Sequence, residues 1–233
     1  MNYKQEIKEI ATKYTEEEIC GYLIMDCNNN LIIYKCENRA KNKKNDFEID
    51  PSDYVKAKFH GEILLCFHSH PFTNEEPSEK DIKSSENSKL PFLIYSNLTQ
   101  KFFLFIPETY NIKPFIGRKF IEDLQQCTSL VIDFYCKWKK LPRNHFFKNS
   151  IIPKNKETLE NQIKKNFVKV DKKDVLLGDL LEFKMLNGDY RHFGLYVGED
   201  YFLHQPNNGL SNKQFLNHSW QKRLCNIYRL KEL

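Results

Sequence analysis

The segment CFHSHPFTNEEPSEKD, at residues 66–81, constrains the fold more than any other stretch of this chain. It continues an apolar run, EILLCFH, which predicts a buried strand. His68 and His70 lie two positions apart at the end of that strand, so both side chains point to the same face. Asp81 falls in the first turn of a helix that begins at Ser78. Folding of that helix over the strand end would bring the carboxylate to both imidazoles.

Two histidines and one aspartate supply three ligands and leave the fourth position of a tetrahedral site open, as in catalytic zinc sites. Each part also has a plainer interpretation. Ser78 and Asp81 have the spacing of a capping box, which needs no metal, and a histidine at a strand end is usually structural. The joint spacing, H-x-H-P followed by S-x-x-D, favours a metal site.

Composition excludes several classes of protein. The chain has 233 residues, of which 40% are hydrophobic and 29% charged, as is usual for a globular protein. The net charge is +5, and the basic residues are spread along the chain, so we predict a solvated lysine-rich surface and no nucleic-acid partner. No apolar run reaches the roughly 20 residues that span a bilayer, so no membrane insertion is predicted. The N-terminal residues lack the apolar core of a signal peptide, so we expect synthesis in a cytoplasm.

Hydrophobic patterning predicts an α+β fold with two domains, at residues 1–110 and 111–233. The first domain is expected to be a helix and a mainly antiparallel sheet, from the patterns at 3–14, 19–25, 31–36, 62–68, 91–97 and 101–107. Residues 37–53 are expected to be a loop or an edge, and residues 107–119 a linker. The second domain is expected to begin with a helix that carries Leu130, Val131, Phe134, Tyr135 and Trp138 on one face. A meander of strands follows at 179–185, 192–198, 201–205 and 226–230, with Asn-Gly or Glu-Asp turns.

A second candidate site lies in the C-terminal half. Cys127 stands at the start of the predicted helix, where the helix dipole and free N–H groups stabilise a thiolate. His192 begins one predicted strand and His204 ends the next, so a hairpin turn at 199–200 would bring them together. His192 would then accept the thiol proton and His204 would orient it.

Each of these residues taken singly has a structural interpretation. The chain has seven cysteines, scattered and without a C-x-x-C pair, so neither a disulfide framework nor a thiolate zinc site is indicated. Cys127 is therefore also explained as a buried core thiol, as we expect for Cys136. His204 is also explained as a surface strand end, and His145 and His218 remain unassigned histidines.

The segment HSHP…PSEKD resembles the JAMM motif of the Mov34/MPN/PAD-1 metallopeptidases. These are zinc isopeptidases with a helix–sheet–helix fold, and the resemblance covers roughly residues 5–107. It implies one Zn²⁺ ion, with His68, His70 and Asp81 as its ligands.

The same resemblance implies an upstream glutamate as general base, just before the first core strand. Glu18, in EEEICGYLI, occupies that position, and Glu16 and Glu17 are the alternatives. Ser78 would donate a hydrogen bond to the developing oxyanion.

The second half is similar to the NlpC-type papain-like cell-wall peptidases, through CTSLV, GDLLEF, HFGLYVG and FLHQ. These enzymes hydrolyse the peptide stems of peptidoglycan through a Cys-His-polar triad. The resemblance implies Cys127 as nucleophile, His192 as base and His204 as third member. Two features depart from the family: Gln126 stands where Asp is usual, and a Lys/Asn-rich insertion occupies residues 143–174.

The combination of both domains in one chain resembles the tail tip assembly proteins of lambda-like siphophages. It implies peptidoglycan peptides and other phage tail tip proteins as partners, and a place at the virion tail tip after synthesis in the host cytoplasm. Two alternatives stay open. One is a structural or assembly role with vestigial peptidase sites. The other is a host-encoded peptidase for ubiquitin-like proteins, which would leave the second domain without a task.

Overall fold

The computed structural model describes residues 2–146, 156–185, 191–207 and 209–231. Its contacts divide the chain into two compact units, with the division between Asn111 and Ile112. Each unit combines helices with one sheet, which confirms the predicted α+β class. Within the described ranges, no helix has both the length and the apolar character needed to cross a bilayer.

The first unit is a five-stranded sheet with helices, in the strand order β2-β1-β3-β4-β5. Neighbouring strands are antiparallel except for β3 and β4, which are parallel. The elements are α1 (Tyr3–Ala11), β1 (Cys20–Met25), β2 (Leu31–Cys36), α2 (Pro51–His60), β3 (Glu62–His70), α3 (Glu79–Ser88), β4 (Phe92–Ser96) and β5 (Phe102–Phe105).

Helix α2 was not predicted, and its first residues fall in the segment 37–53 that the sequence predicts to be a loop or an edge. The helix has strong start signals: Pro51 occupies the first turn, and the Asp50 side chain accepts a hydrogen bond from Ser52 N–H. Ala57 is its only buried residue, while Val55 and Phe59 are exposed. Its apolar residues therefore do not form the single stripe from which amphipathic helices are recognised.

Strand β1 divides its side chains between the two faces of this sheet. Tyr22 and Ile24 pack in the cluster that includes Ala57 of α2. Gly21 lies on the opposite face, where a Cβ atom would come within 2.2 Å of the Tyr34 carbonyl oxygen and 2.7 Å of the Phe67 ring. Glycine is therefore required there because β1 and β2 approach closely, rather than for an unusual backbone conformation.

The second unit is a six-stranded antiparallel sheet in the order β10-β9-β8-β7-β11-β6. Its elements are α4 (Cys127–Lys139), α5 (Lys156–Asn166), β6 (Phe167–Val170), β7 (Leu180–Lys184), β8 (Arg191–Gly198), β9 (Tyr201–His204), β10 (Asn212–Phe215), α6 (His218–Arg223) and β11 (Leu224–Leu230). Strands β6 and β10 and helix α6 were not predicted. The predicted Asn-Gly turn at 187–188 lies outside the described residues, as do residues 147–155 of the insertion.

Both faces of this second sheet are covered. Leu180, Phe193 and Leu195 pack on one face with apolar residues of α4. Phe183 and Phe202 pack on the other face with Trp220 of α6.

A buried ion cluster fixes α4, because Asp133 on its inner side accepts hydrogen bonds from both Arg118 and Arg143. All three side chains are buried. Arg118 also donates to the carbonyl oxygens of Lys113 and Pro114, at 2.5 and 2.7 Å. The helix that carries Cys127 is thus tied to the segments before and after it.

Candidate functional sites

The first candidate site forms where β3 ends and α3 begins. His68 and His70 point to one face of β3, and Asp81 is the third residue of α3. His68 Nε2 lies 3.1 Å from His70 Nε2 and 3.2 Å from Asp81 Oδ1. The ligand atoms of all three residues lie within 4.8 Å of one another, and all three side chains are buried. The structure therefore brings together the three residues that the sequence singled out as metal ligands.

Hydrogen bonds outweigh burial in setting the charge of this cluster. Burial alone would raise the pKa of Asp81, but hydrogen bonds from His68, His70 and Ser78 hold it far below the usual range. Burial lowers the pKa of His68, whereas Asp81 and the Asn74 carbonyl outweigh burial and raise that of His70. The cluster thus keeps a carboxylate ionised, as a cation site requires.

The second nitrogen of His70 fixes the orientation of its ring. His70 Nδ1 lies 2.7 Å from the Asn74 carbonyl oxygen, which can only accept, so Nδ1 carries a proton. When the ring is neutral, as a metal ligand must be, its lone pair is therefore on Nε2, which faces Asp81. The His68 ring stacks on Phe47, with centroids 4.5 Å apart. Its Nδ1 is buried and has no hydrogen-bond partner within the described part of the chain.

The donor set fits a zinc-type ion: two imidazoles and a carboxylate converge in a buried site, with space left on one side. That space is a cleft of about 190 Å³, lined among others by Glu18, Ser78, Asp46 and Lys80. The identity of the ion is not fixed by this geometry, because other divalent metals also accept nitrogen and oxygen ligands.

Glu18 lies at the cleft because of the register between β1 and β3. Cys20 is paired with His68, so extending the antiparallel register by two residues beyond the start of β1 places Glu18 opposite His70. Glu18 is buried, whereas Glu16 is exposed and does not line the cleft. Burial raises the pKa of Glu18 to about 8, against the lowering influence of His70. A cation in the cleft would favour its ionised form.

The loop at residues 38–48 holds the backbone of Glu18 on both sides. Glu18 N–H donates to the Lys43 carbonyl at 2.7 Å, and the Glu18 carbonyl accepts from Asn38 Nδ2 at 2.9 Å. Asn38 also donates to the Asp46 carbonyl, and its Oδ1 accepts from two backbone N–H groups of the loop. This buried amide therefore satisfies all its hydrogen bonds while connecting both ends of the loop to Glu18.

Ser78 forms the capping box that was its plainer interpretation. Its hydroxyl accepts from Asp81 N–H at 3.1 Å and donates to Asp81 Oδ2 at 2.7 Å. The Ser78 N–H donates to the same oxygen at 2.8 Å. Capping and metal binding are compatible here, since Oδ2 serves the cap and Oδ1 faces His68. A hydrogen bond from Ser78 to an oxyanion remains a prediction.

The second candidate site begins at the N-terminus of α4. Gln126 is the N-cap residue, and its N–H lies 3.3 Å from the Ser129 hydroxyl oxygen. Burial raises the pKa of the Cys127 thiol above its usual value, while the N–H groups of Phe193 and Thr128 act to lower it. The stabilisation expected from the helix N-terminus is therefore present, but burial outweighs it. Cys127 rests as a neutral thiol.

His192 and His204 meet in the hairpin formed by β8 and β9. His192 Nε2 lies 2.8 Å from His204 Nδ1. Burial lowers the pKa of His192 to about 3 and that of His204 to about 4. Both rings are therefore neutral near pH 7 and share one proton along this contact. Assigning that proton to His192 Nε2 leaves His192 Nδ1 with a free lone pair, as a general base needs.

The structure does not join the cysteine directly to this pair. No hydrogen bond between Cys127 and His192 is present among the described residues; Cys127 instead lies by the N–H of Phe193, the residue after His192. Cys136, the comparison thiol, is half-buried against the core of the same unit. His145 lies in a 3-10 turn, and His218 is the exposed first residue of α6.

Sequence reasoning missed the aromatic enclosure of the histidine pair. The rings of Phe183, Phe202 and Trp220 lie on the same face of the sheet as His192 and His204. The phenylalanines were visible only as strand residues. Trp220 stands in the polar segment LNHSWQKR, where an isolated tryptophan was the only available signal.

Comparisons with known proteins match each half of the chain to a family. Residues 2–106 match the prokaryotic homologues of the JAB domain, and residues 126–229 match the NlpC/P60 family. Tail tip assembly protein K of Escherichia phage lambda is 25% identical over 183 residues, which cover 78% of this chain and 88% of that protein. Tail tip assembly protein K of Escherichia phage N15 is 22% identical over 215 residues, covering 86% and 83%.

Two solved structures are also similar. A protein from Desulfitobacterium hafniense, solved in solution, covers 43% of this chain and 75% of its own at 27% identity, with a TM-score of 0.35. An NlpC/P60 family protein from Bacillus cereus covers 95% and 66% at 13% identity, with a TM-score of 0.36. By the two family matches and the two phage relatives, the chain carries a domain that matches the prokaryotic JAB model followed by a domain that matches the NlpC/P60 family, and it is a homologue of the tail tip assembly proteins K of phages lambda and N15.

Proposed function

We propose that this chain is a phage tail tip component or assembly peptidase whose C-terminal domain hydrolyses the stem peptides of peptidoglycan. The observation that carries the proposal is the buried His192–His204 pair, 2.8 Å apart, next to the strand position that contacts Cys127. The chain would be made in the host cytoplasm and act at the virion tail tip. There it would meet other tail tip proteins and, during DNA entry, the cell wall.

Cys127 is the proposed nucleophile. Its sulfur attacks the carbonyl carbon of the scissile amide while His192 Nδ1 takes the thiol proton, and His204 holds the ring through Nε2. The same proton then passes to the leaving amine as the C–N bond breaks. Water, deprotonated by His192, attacks the acyl-enzyme and releases the carboxylic acid and the thiol. Because both rings are neutral at rest, His192 is ready to accept a proton without prior deprotonation.

For the N-terminal domain we propose metal-dependent hydrolysis of a peptide or isopeptide bond. His68, His70 and Asp81 would hold a Zn²⁺ ion, which supplies Lewis-acid activation of water and of the substrate carbonyl. Glu18, held by the loop at 38–48, is the proposed base that accepts the proton of the attacking water. The substrate would be a wall cross-link or a tail protein being processed.

A structural or assembly role with inactive sites is the second candidate. The specific observation in its favour is the absence of a hydrogen bond between Cys127 and His192 in the described structure, together with the raised pKa of the thiol. Gln126, in place of the usual Asp, points the same way.

Muropeptide release tests the cysteine site. Purified host peptidoglycan is digested with wild type, Cys127→Ala, His68→Ala and Cys136→Ala, and soluble products are identified by mass spectrometry. We expect release to fall by roughly 10³-fold or more in Cys127→Ala only. Equal loss in Cys136→Ala would contradict the assignment of the nucleophile. No release by zinc-loaded wild type would favour the assembly role.

Zinc affinity tests the metal site without a substrate. We expect Asp81→Asn and His68→Ala to weaken Zn²⁺ binding by well over the 10–100-fold that loss of an outer-sphere partner costs. Asp46→Asn is the matched control, because Asp46 lines the same cleft but pairs with Lys80 at 2.6 Å. Binding by wild type no tighter than by Asp81→Asn would rule out the proposed site.

A further inference from the structure

Trp220 occupies a defined position against the histidine pair of the second unit. It lies in α6, whose N-cap Asn217 accepts a hydrogen bond from Trp220 N–H at 3.2 Å. The indole meets His204 edge-to-face, with centroids 5.3 Å apart and an angle of 77°. The ring centroids of Trp220 and His192 lie 6.1 Å apart, with an angle of 36° between the ring planes. One side chain therefore contacts both members of the pair.

Phe183 and Phe202 form, together with Trp220, an aromatic wall against the histidine pair. Phe183 and Phe202 each lie 5.0 Å from Trp220 in edge-on arrangements, and Phe202 lies 4.8 Å from His204. Gly194 makes the close approach of Phe202 possible, because a Cβ atom there would lie 2.7 Å from its ring. Aromatic pairs of this kind contribute about 0.5–1.5 kcal/mol beyond their buried area, so the wall has a preferred geometry.

We propose that Trp220 is a positioning residue for the His192–His204 pair, which seals the pair from water and holds the two rings in hydrogen-bonding geometry. The inference rests on the proposed function only where it calls His192 a base. A wet or mobile pair would lose the fixed tautomer, because water would compete for His192 Nε2 and His204 Nδ1. Trp220 would then affect catalysis through His192 without contacting substrate.

The groups that face the pair allow this claim to be tested by titration. Each imidazole faces the other, Asn212 on β10 is paired with His204, and Cys127 on α4 lies by the N–H after His192. From α6, the Arg223 guanidinium lies 5.4 Å from the Trp220 ring. On β8 itself, Arg191 is neutralised by Glu160 and Glu182.

Burial is the largest cause of the low pKa of both histidines, ahead of the effect of His204 on His192 and the opposing effect of Asn212 on His204. Removal of the indole admits water and raises both pKa values toward about 6.5. The pKa shift must be upward, because hydration favours the charged imidazolium.

The experiment follows the ring nitrogens of His192 and His204 by NMR from pH 3 to pH 8 in the full chain. The variants are Trp220→Ala, Trp220→Phe and, as matched control, Trp138→Phe, which changes the other tryptophan of the same unit. We expect the proton affinity of the pair to rise at least tenfold in Trp220→Ala and less in Trp220→Phe. Trp138→Phe should titrate as wild type does.

Unchanged titration in folded Trp220→Ala would overturn the inference, and so would an equal shift in Trp138→Phe. If Trp220→Ala does not fold, Trp220→Phe decides: it keeps a ring but shortens the wall, and an unshifted titration in it overturns the inference too. The readout needs no substrate. If the titration shifts in Trp220→Ala but the wild type releases no muropeptides, this inference stands and the lytic function is contradicted. If the wild type releases muropeptides but the titration does not shift in Trp220→Ala, the lytic function stands and this inference is overturned.

Discussion

The surroundings of the two candidate sites favour opposite charge states of their titratable side chains. In the first unit, hydrogen bonds outweigh burial and keep Asp81 ionised beside two imidazoles. In the second, burial outweighs everything else and keeps His192 and His204 neutral. A cation site must retain charge, whereas a proton-accepting base must lose it at working pH. The difference shows that similar residue types take on different chemistry from the groups around them.

The largest expected effect on stability concerns the helix that carries Cys127. Asp133→Ala leaves Arg118 and Arg143 buried without their carboxylate, which should cost about 3–5 kcal/mol. Urea unfolding followed by tryptophan fluorescence measures it, because both tryptophans, Trp138 and Trp220, lie in the second unit. Asp171→Ala, at an exposed turn, is the control and should change stability little. A loss below about 1 kcal/mol in Asp133→Ala would show that the cluster is hydrated.

The pH dependence of stability tests the neutral pair directly. The folded pKa values, about 3 for His192 and about 4 for His204, lie below the unfolded value. The stability they contribute is thus fully present above about pH 6.5 and is lost as pH falls toward the folded pKa values. We expect the free energy of unfolding to fall by up to about 1.4 kcal/mol per pH unit for each histidine in that window.

The control for this pH dependence is the exposed histidine of the same unit. His218→Gln should leave the slope unchanged, whereas His192→Gln should reduce it. Equal slopes in all three proteins would show that other groups set the acid sensitivity of the second unit.

Two glycine substitutions compare how closely each unit is packed. Gly194→Ala should cost about 1–3 kcal/mol, because the obstacle is the Phe202 ring, which can shift. Gly21→Ala should cost more, because its nearest obstacle is the Tyr34 carbonyl of the neighbouring strand. Thermal unfolding of both variants measures the order. The reverse order would mean that the aromatic wall yields less readily than the sheet backbone.

The smallest effect is expected at the helix that supplies Asp81. Ser78→Ala removes the N-cap and should destabilise the first unit by about 1 kcal/mol. It should also loosen Asp81, with a measurable loss of zinc affinity. Ser84→Ala, in the same helix, is the control for both readouts. Unchanged zinc affinity in Ser78→Ala would separate capping from metal binding.

The sequence predicted the parts of the sites that follow from local periodicity. His68 and His70 share a face because a strand repeats every two residues, and Asp81 follows from a cap signal. The residues it missed depend on contacts between distant segments. Trp220 lies in a polar six-residue helix, and β10 reads NKQF, with half-buried and exposed positions alternating and none fully buried. Neither has a pattern that distinguishes it from a loop.

The hydrogen bonds made by Asn38 have a consequence for engineering. The amide binds backbone atoms of Glu18, Ala40, Asp46 and Glu48, and Lys43 contacts Glu18 through its carbonyl. None of these anchors depends on the side chains at positions 41–45. That stretch can therefore be exchanged for others of equal length while Glu18 stays in place. Because Lys44 and Asn45 line the cleft of the candidate metal site, exchanges there would change the lining of that cleft and leave its proposed ligands untouched.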